Sequence, residues 1–213
     1  MVSKEDFIKA IEEVRKIDSE RHKKIKFTQS VDLIINLRDF DLKRTSLNFV
    51  VTVPHKLGEK KVAAFLEKKS NIIDTITKPE FEDFKDKKKL KRLVKEYDFF
   101  ISSAKLMPSV AATFGRVLGP SGKMPSPQLG VLFAEDDNAI KAMIAKVGNV
   151  VKIKTKEPCV KVVIGKQTDK DADLAENALI VFNEVFKNLT KGRDNLKNVL
   201  IKFTMSKPVR VNA

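Results

Sequence analysis

The chain has 213 residues, enough to bury a substantial core in one large domain or two smaller ones, and Lys+Arg 42 against Asp+Glu 28 gives it a formal net charge of +14. That excess favours polyanions without choosing among RNA, DNA and anionic lipid. No apolar run approaches the roughly 20 residues of a spanning helix, the opening MVSKEDFIKAIEEVRK lacks the apolar stretch of a secretory signal, and the single cysteine excludes an internal disulfide or a multi-cysteine zinc site, so residence in the cytoplasm without a membrane is expected.

Ser3 is placed to cap a helix, with Asp6 three residues on, and Phe7, Ala10, Ile11, Val14 and Ile17 recur on one helical face. Val31, Leu33, Ile35 and Leu37 alternate with more polar neighbours, and Leu47, Phe49, Val51 and Val53 do so again after a turn-like 39–44, which predicts two strands paired with each other. Pro54 to Gly58 interrupts that pattern. Beyond it come a strand at Val62 to Leu66, a helix at Glu80 to Lys95, a buried strand at Tyr97 to Ser102, a helix from Pro108 to Val117 and a short strand at Val131 to Ala134. Asp136 or Asp137 then caps a helix carrying Ile140, Met143, Ile144 and Val147. After Gly148 the earlier pattern returns, with strands at Val150 to Lys154 and Val160 to Ile164, a long helix through Leu174, Ala178, Phe182 and Val185, and a strand at Asn198 to Thr204. Cys159 reads as a small buried hydrophobe.

Neither end of the chain supplies enough apolar faces for a core of its own, so the economical fold is α/β and α+β in two domains. A discontinuous two-layer α+β domain, 1–58 with 156–213, is interrupted by an open α/β domain at 59–155. Crossings near Leu57 to Lys60 and Thr155 to Pro158 would form a hinge.

Half of the glycines fall in GRVLGPSGKMPSPQLG, from Gly115 to Gly130, together with Pro120, Pro125 and Pro127. Glycine reaches positive φ and proline fixes φ, which predicts a shaped loop presenting Arg116 and Lys123. VLGPSGK is not a phosphate-binding P-loop: Val117 occupies the first glycine position, Met124 replaces the magnesium-holding hydroxyl, and a helix precedes it where the motif needs a strand. No G-x-G-x-x-G occurs, and His22 and His55 lack a nucleophile or metal partner in the pattern. Catalytic residues, a cofactor and a metal are therefore not expected. The run Lys85, Lys87, Lys88, Lys89, Lys91, Arg92 and Lys95 shares its helix with Leu90, Leu93 and Val94 and reads as a solvated face.

The words G-R-x-L-G-P-x-G-x-M-P, Gly115 to Pro125, resemble the central signature of the ribosomal protein L-one family, and IKFTQSVDL and KFTMSKPVRV resemble its terminal segments, in a form similar to archaeal members. The resemblance implies that the inserted domain is Rossmann-like. It also implies a non-enzymatic protein of the large ribosomal subunit that binds the rRNA of the mobile stalk, assists release of deacylated tRNA from the exit site, represses translation through its own mRNA, and is a monomer off the ribosome.

On the residues alone, Phe27 is either core or a ring at a sheet edge that packs on a ribose or base, with Lys26 on phosphate and Ser30 on a 2′-hydroxyl. Arg15, Lys16, Arg21, Lys23 and Lys24 lead towards it as electrostatic support. Thr204 and Met205 end the last strand ahead of Ser206, Lys207, Pro208 and Arg210, and they are either a plain strand end or a surface adaptable to nucleic acid. The resemblance implies RNA contacts at Lys26, Phe27, Ser30, Lys166, Thr204, Met205, Ser206 and Arg210, with a second RNA surface at Arg116 and Lys123. Ser206 stands where the family carries glycine, so a turn with positive φ would be harder to form there.

Overall fold

The computed structural model describes residues 2–20, 25–40, 47–58, 60–127, 129–133, 135–155 and 157–211. In chain order the elements are α1 (Lys4–Ser19), β1 (Ser30–Leu37), β2 (Asn48–Thr52), β3 (Val62–Phe65), β4 (Asp74–Ile76), a 3-10 helix (Lys78–Lys85), α2 (Lys87–Glu96), β5 (Phe99–Ser103), α3 (Met107–Ser121), β6 (Val131–Leu132), α4 (Asp137–Gly148), β7 (Val150–Lys154), β8 (Cys159–Lys166), α5 (Asp171–Lys187), a 3-10 turn (Gly192–Asn195), β9 (Leu196–Phe203) and β10 (Val209–Val211). They form two compact units, 1–58 with 149–213, and 59–148.

In the first unit an antiparallel sheet runs β10-β9-β1-β8. Both edges of β1 are taken by strands from the far end of the chain, β8 and β9. The expected pairing of β1 with the next strand therefore does not form, and β2 pairs instead with β7. That ladder moves the second boundary. Residues 149–155 belong with the terminal segments because β7 is bonded to β2, so the return crossing follows Gly148 rather than residue 155.

Alternation in β1 sends Val31, Leu33, Ile35 and Leu37 into the core while Asp32, Ile34 and Asn36 stay half-exposed. Helices α1 and α5 supply Phe7, Ile11, Val14, Ala178, Val181 and Val185 to the same core. At the start of α1 the Ser3 hydroxyl accepts the Asp6 N–H, and the Asp6 carboxylate accepts the Ser3 N–H, so both orphan donors are satisfied. Cys159 lies on the outward face and is half-buried, not enclosed as expected.

The second unit has a parallel sheet ordered β4-β3-β5-β6. One face carries Phe65, Phe100 and Ala63 under Leu90, Leu93, Phe114 and Leu118, and the other carries Ala64, Ile101 and Leu132 under Ile140. The expected Glu80 to Lys95 helix is two pieces, because Asp86 is extended (φ −73, ψ 121) and its carboxylate accepts the Lys88 N–H to open α2. The helix from Pro108 does not stop at Val117. It runs through Gly115, Gly119 and Pro120 to Ser121 and ends on Gly122 at φ 74, whose N–H bonds the Gly119 carbonyl while Lys123 N–H bonds that of Leu118. The first half of the expected loop is thus helical.

Candidate nucleic-acid interface

Three strand ends meet at one end of the antiparallel sheet. Ser30 stands opposite Lys166 across β1 and β8, and Val31 stands opposite Phe203 across β1 and β9. Beyond the ladder, the Thr204 N–H donates to the Ser30 carbonyl at 3.1 Å, and the Thr204 hydroxyl accepts the Ser30 N–H at 3.1 Å. The sequence therefore brings Ser30, Lys166, Thr204 and Met205 together.

The backbone here is pinned from beneath. Gln29 is buried, since parity along β1 points it inward with Val31 and Leu33. Its Oε1 accepts the Met205 N–H at 2.9 Å, and its Nε2 donates to both Asp18 carboxylate oxygens at 3.0 Å. Gln167 Nε2 donates to the same carboxylate at 3.1 Å, and its backbone N–H donates to the Gln29 carbonyl at 2.9 Å. Arg15 closes the other side. Its guanidinium donates to the Asp171 carboxylate and the carbonyls of Gln167 and Asp169, and it lies 5.7 Å from the Phe203 ring centroid. A fully satisfied polar network of this kind fixes a local geometry.

Phe27 is 55% exposed and Met205 54% exposed, and Lys26, Lys166 and Thr204 are exposed as well. Each large apolar side chain left in water forgoes about 1.5–3 kcal/mol of burial. No packing within the unit recovers that. The Lys166 stem crosses Gly58, where an added Cβ would sit 2.9 Å from Lys166 Cε, and its N–H donates to Asp169 Oδ2 at 2.7 Å.

Three of the expected contacts stand differently. Ser206 is buried, and its hydroxyl accepts the Phe203 N–H at 2.8 Å, so it shapes the turn from within. Asp39 is the only non-glycine residue with positive φ among those described, so the turn at Ser206 does not need the glycine the family carries. Arg210 is exposed on β10 opposite Leu200, about 10 Å along the sheet from the strand end. Arg116 lies on α3, but the Lys123 ammonium donates to the Val94 and Tyr97 carbonyls at 2.8 Å each, fastening the end of α2 instead of facing outward. Arg21, His22, Lys23 and Lys24 lie outside the described residues.

Sequence reasoning missed Gln29, Asp18 and Gln167. For Gln29 the signal was present, as a polar residue at an inward-alternating position. Asp18 and Gln167 are joined to it only by the fold.

On the open face of the sheet, desolvation raises the Asp32 carboxyl above its ordinary range, opposed by the nearby Lys202 charge. Desolvation also raises the Cys159 thiol. Among the described residues, no group of His, Cys, Asp and Glu is arranged to hold a metal, and no helix is long and apolar enough to cross a membrane.

Residues 19–207 match the ribosomal protein L1p/L10e family, a span covering segments of both units. The chain is similar to the large ribosomal subunit protein uL1 of Methanobrevibacter smithii, 33% identical over 97% of this chain and 99% of that protein. The uL1 of Pyrococcus horikoshii is 35% identical over 95% of each, and that of Thermofilum pendens 37% over 89% of this chain and 87% of its own. With a two-unit α/β and α+β fold and a match along nearly its whole length, the chain belongs to the ribosomal protein L1p/L10e family, whose members are structural ribosomal proteins and not enzymes.

Proposed function

We propose that the strand-end patch is the surface through which this protein recognises large-subunit rRNA. Phe27 and Met205 pack on a ribose or splayed base, Lys26 and Lys166 meet phosphate, and Ser30 and Thr204 offer hydrogen bonds to 2′-hydroxyls. The observation that carries the reading is two large apolar side chains left more than half exposed on a backbone held rigid by the Gln29–Asp18–Gln167 network. Arg210 extends the patch along the sheet edge, and Ser206 sets the turn under Met205.

The finer role follows the family. The RNA is that of the mobile stalk beside the tRNA exit site, the protein assists release of deacylated tRNA there, and the same patch represses translation by holding a similar structure in its own mRNA. It works in the cytoplasm on the ribosome and is a monomer off it. Residues 1–58 with 149–213 form the recognition domain, and Arg116 belongs to a second RNA surface on the inserted one.

The test compares Phe27→Ala, Thr204→Ala and Met205→Ala for affinity to a stalk-rRNA fragment, with circular dichroism to verify folding. Removing one stacking ring costs about 1–3 kcal/mol, so Phe27→Ala binds roughly 5- to 150-fold more weakly. Unchanged affinity in all three variants removes the site.

A further inference from the structure

Helix α2 is cationic at six of its ten residues and carries one acid, Glu96. Lys88, Lys91, Arg92 and Lys95 recur at i, i+3, i+4 and i+7, so they form a single stripe, and all four are exposed. Leu90, Leu93 and Val94 occupy the opposite side and are buried in the core of the second unit. The stripe therefore points away from the unit's own packing.

Some cations elsewhere in the described residues meet acids, as in Lys4–Glu176, Arg15–Asp171, Lys69–Glu80 and Lys161–Glu157. No described ion pair draws on the stripe, and Glu96, four residues beyond Arg92, makes none with it. Like charges three and four residues apart destabilise a helix. Lys88 and Lys89 also sit in the first turn, where the N-cap Asp86 carboxylate is the acid at the positive end of the helix dipole. The repulsion along the stripe thus opposes the arrangement, and an external row of negative charge relieves it.

We infer that the outer face of α2 is a separate, sequence-independent RNA surface that tracks a phosphate backbone. Unpaired Lys and Arg neutralise phosphates without reading bases. An anionic membrane is the poorer occupant because the apolar face that would enter lipid is buried under Phe100 and Phe114. A protein partner would need an aromatic or aliphatic anchor on this side, and the stripe has none. Lys123 serves the same surface, since by holding the Val94 and Tyr97 carbonyls it fixes the helix that carries the charges. The stripe acts independently of the strand-end patch.

The experiment uses the full chain with Lys88, Lys91, Arg92 and Lys95 all changed to Gln, which keeps helix propensity. Binding to an RNA duplex of about 20 base pairs and arbitrary sequence is measured across a salt series. Every phosphate that is no longer neutralised lowers the magnitude of the salt slope by about 0.9, so with all four cations engaged the quadruple variant's slope falls by about 3.6 and its affinity by at least about 10-fold. Its melting temperature stays or rises as the repulsion is removed. An unchanged slope and affinity in the quadruple variant overturns the inference. So does a lowered melting temperature, since the cations would then be supporting the fold. Tighter binding of the native protein to phosphatidylglycerol vesicles than to the duplex assigns the stripe to membranes and overturns it too.

Discussion

The backbone N–H of Met205 donates to Gln29 Oε1 at 2.9 Å, joining residues 176 positions apart in the chain. Met205 is presented to solvent from a position that a buried amide just before the first strand defines. Replacing Gln29 with Ala leaves the Met205 N–H and the Asp18 carboxylate short of a partner, at a cost of about 1–3 kcal/mol. The expected outcome is a lower urea midpoint together with weaker binding to the stalk-rRNA fragment, although Gln29 itself is covered. Reduced stability with unaltered affinity would show that the network does not hold the patch.

Gly165 is required by close approach. An added Cβ would overlap a Leu174 methyl and come within 2.8 Å of Asp169 Oδ2, the oxygen that accepts the Lys166 N–H. Gly165→Ala is expected to destabilise the protein by about 1–3 kcal/mol through overpacking. Equilibrium urea unfolding measures it, and a change within a few tenths of a kcal/mol contradicts the steric account.

Lys123 predicts a local effect. Lys123→Met removes two hydrogen bonds from the end of α2 and keeps the stem, so amides of α2 exchange faster and the second unit is destabilised by about 1–2 kcal/mol, discounted for partial exposure. Affinity for the stalk fragment through the strand-end patch stays unchanged. Uniform exchange in the variant would deny Lys123 this role.

Acid should act on the cap of the first helix only at low pH. The Ser3 hydroxyl and N–H both bond the Asp6 carboxylate and hold it below the ordinary carboxylate range. Because the folded value is the lower one, its contribution to stability is complete above the unfolded pKa and is lost as pH falls through the folded value. NMR titration of the carboxyl carbons should show the Asp6 midpoint moving upward in Ser3→Ala, and no movement would separate the capping box from the shift.

Much of this was legible because it is local. The Ser3–Asp6 box, the alternation of β1 and the apolar face of α5 depend on neighbours two to four residues away, which periodicity reads directly. The partners of β1 were not, since nothing in residues 31–37 records that β8 and β9 fill both its edges. Two short strands, β4 and β10, were missed because three residues carry too little alternation. In the candidate site Phe27, Thr204 and Met205 could be named from the resemblance, whereas the buried inversion of Ser206 and the inward reach of Lys123 depend on side-chain direction that spacing does not encode.

The placement of β1 between strands made long after it also orders events in synthesis. Residues 59–148 carry every strand of their own sheet and can settle while the rest of the chain is still being made, whereas β1 must wait unpaired until residues 159–203 emerge. A nascent or prematurely ended chain would then hold a complete middle sheet while the strand ends at Ser30, Lys166 and Thr204 are still apart.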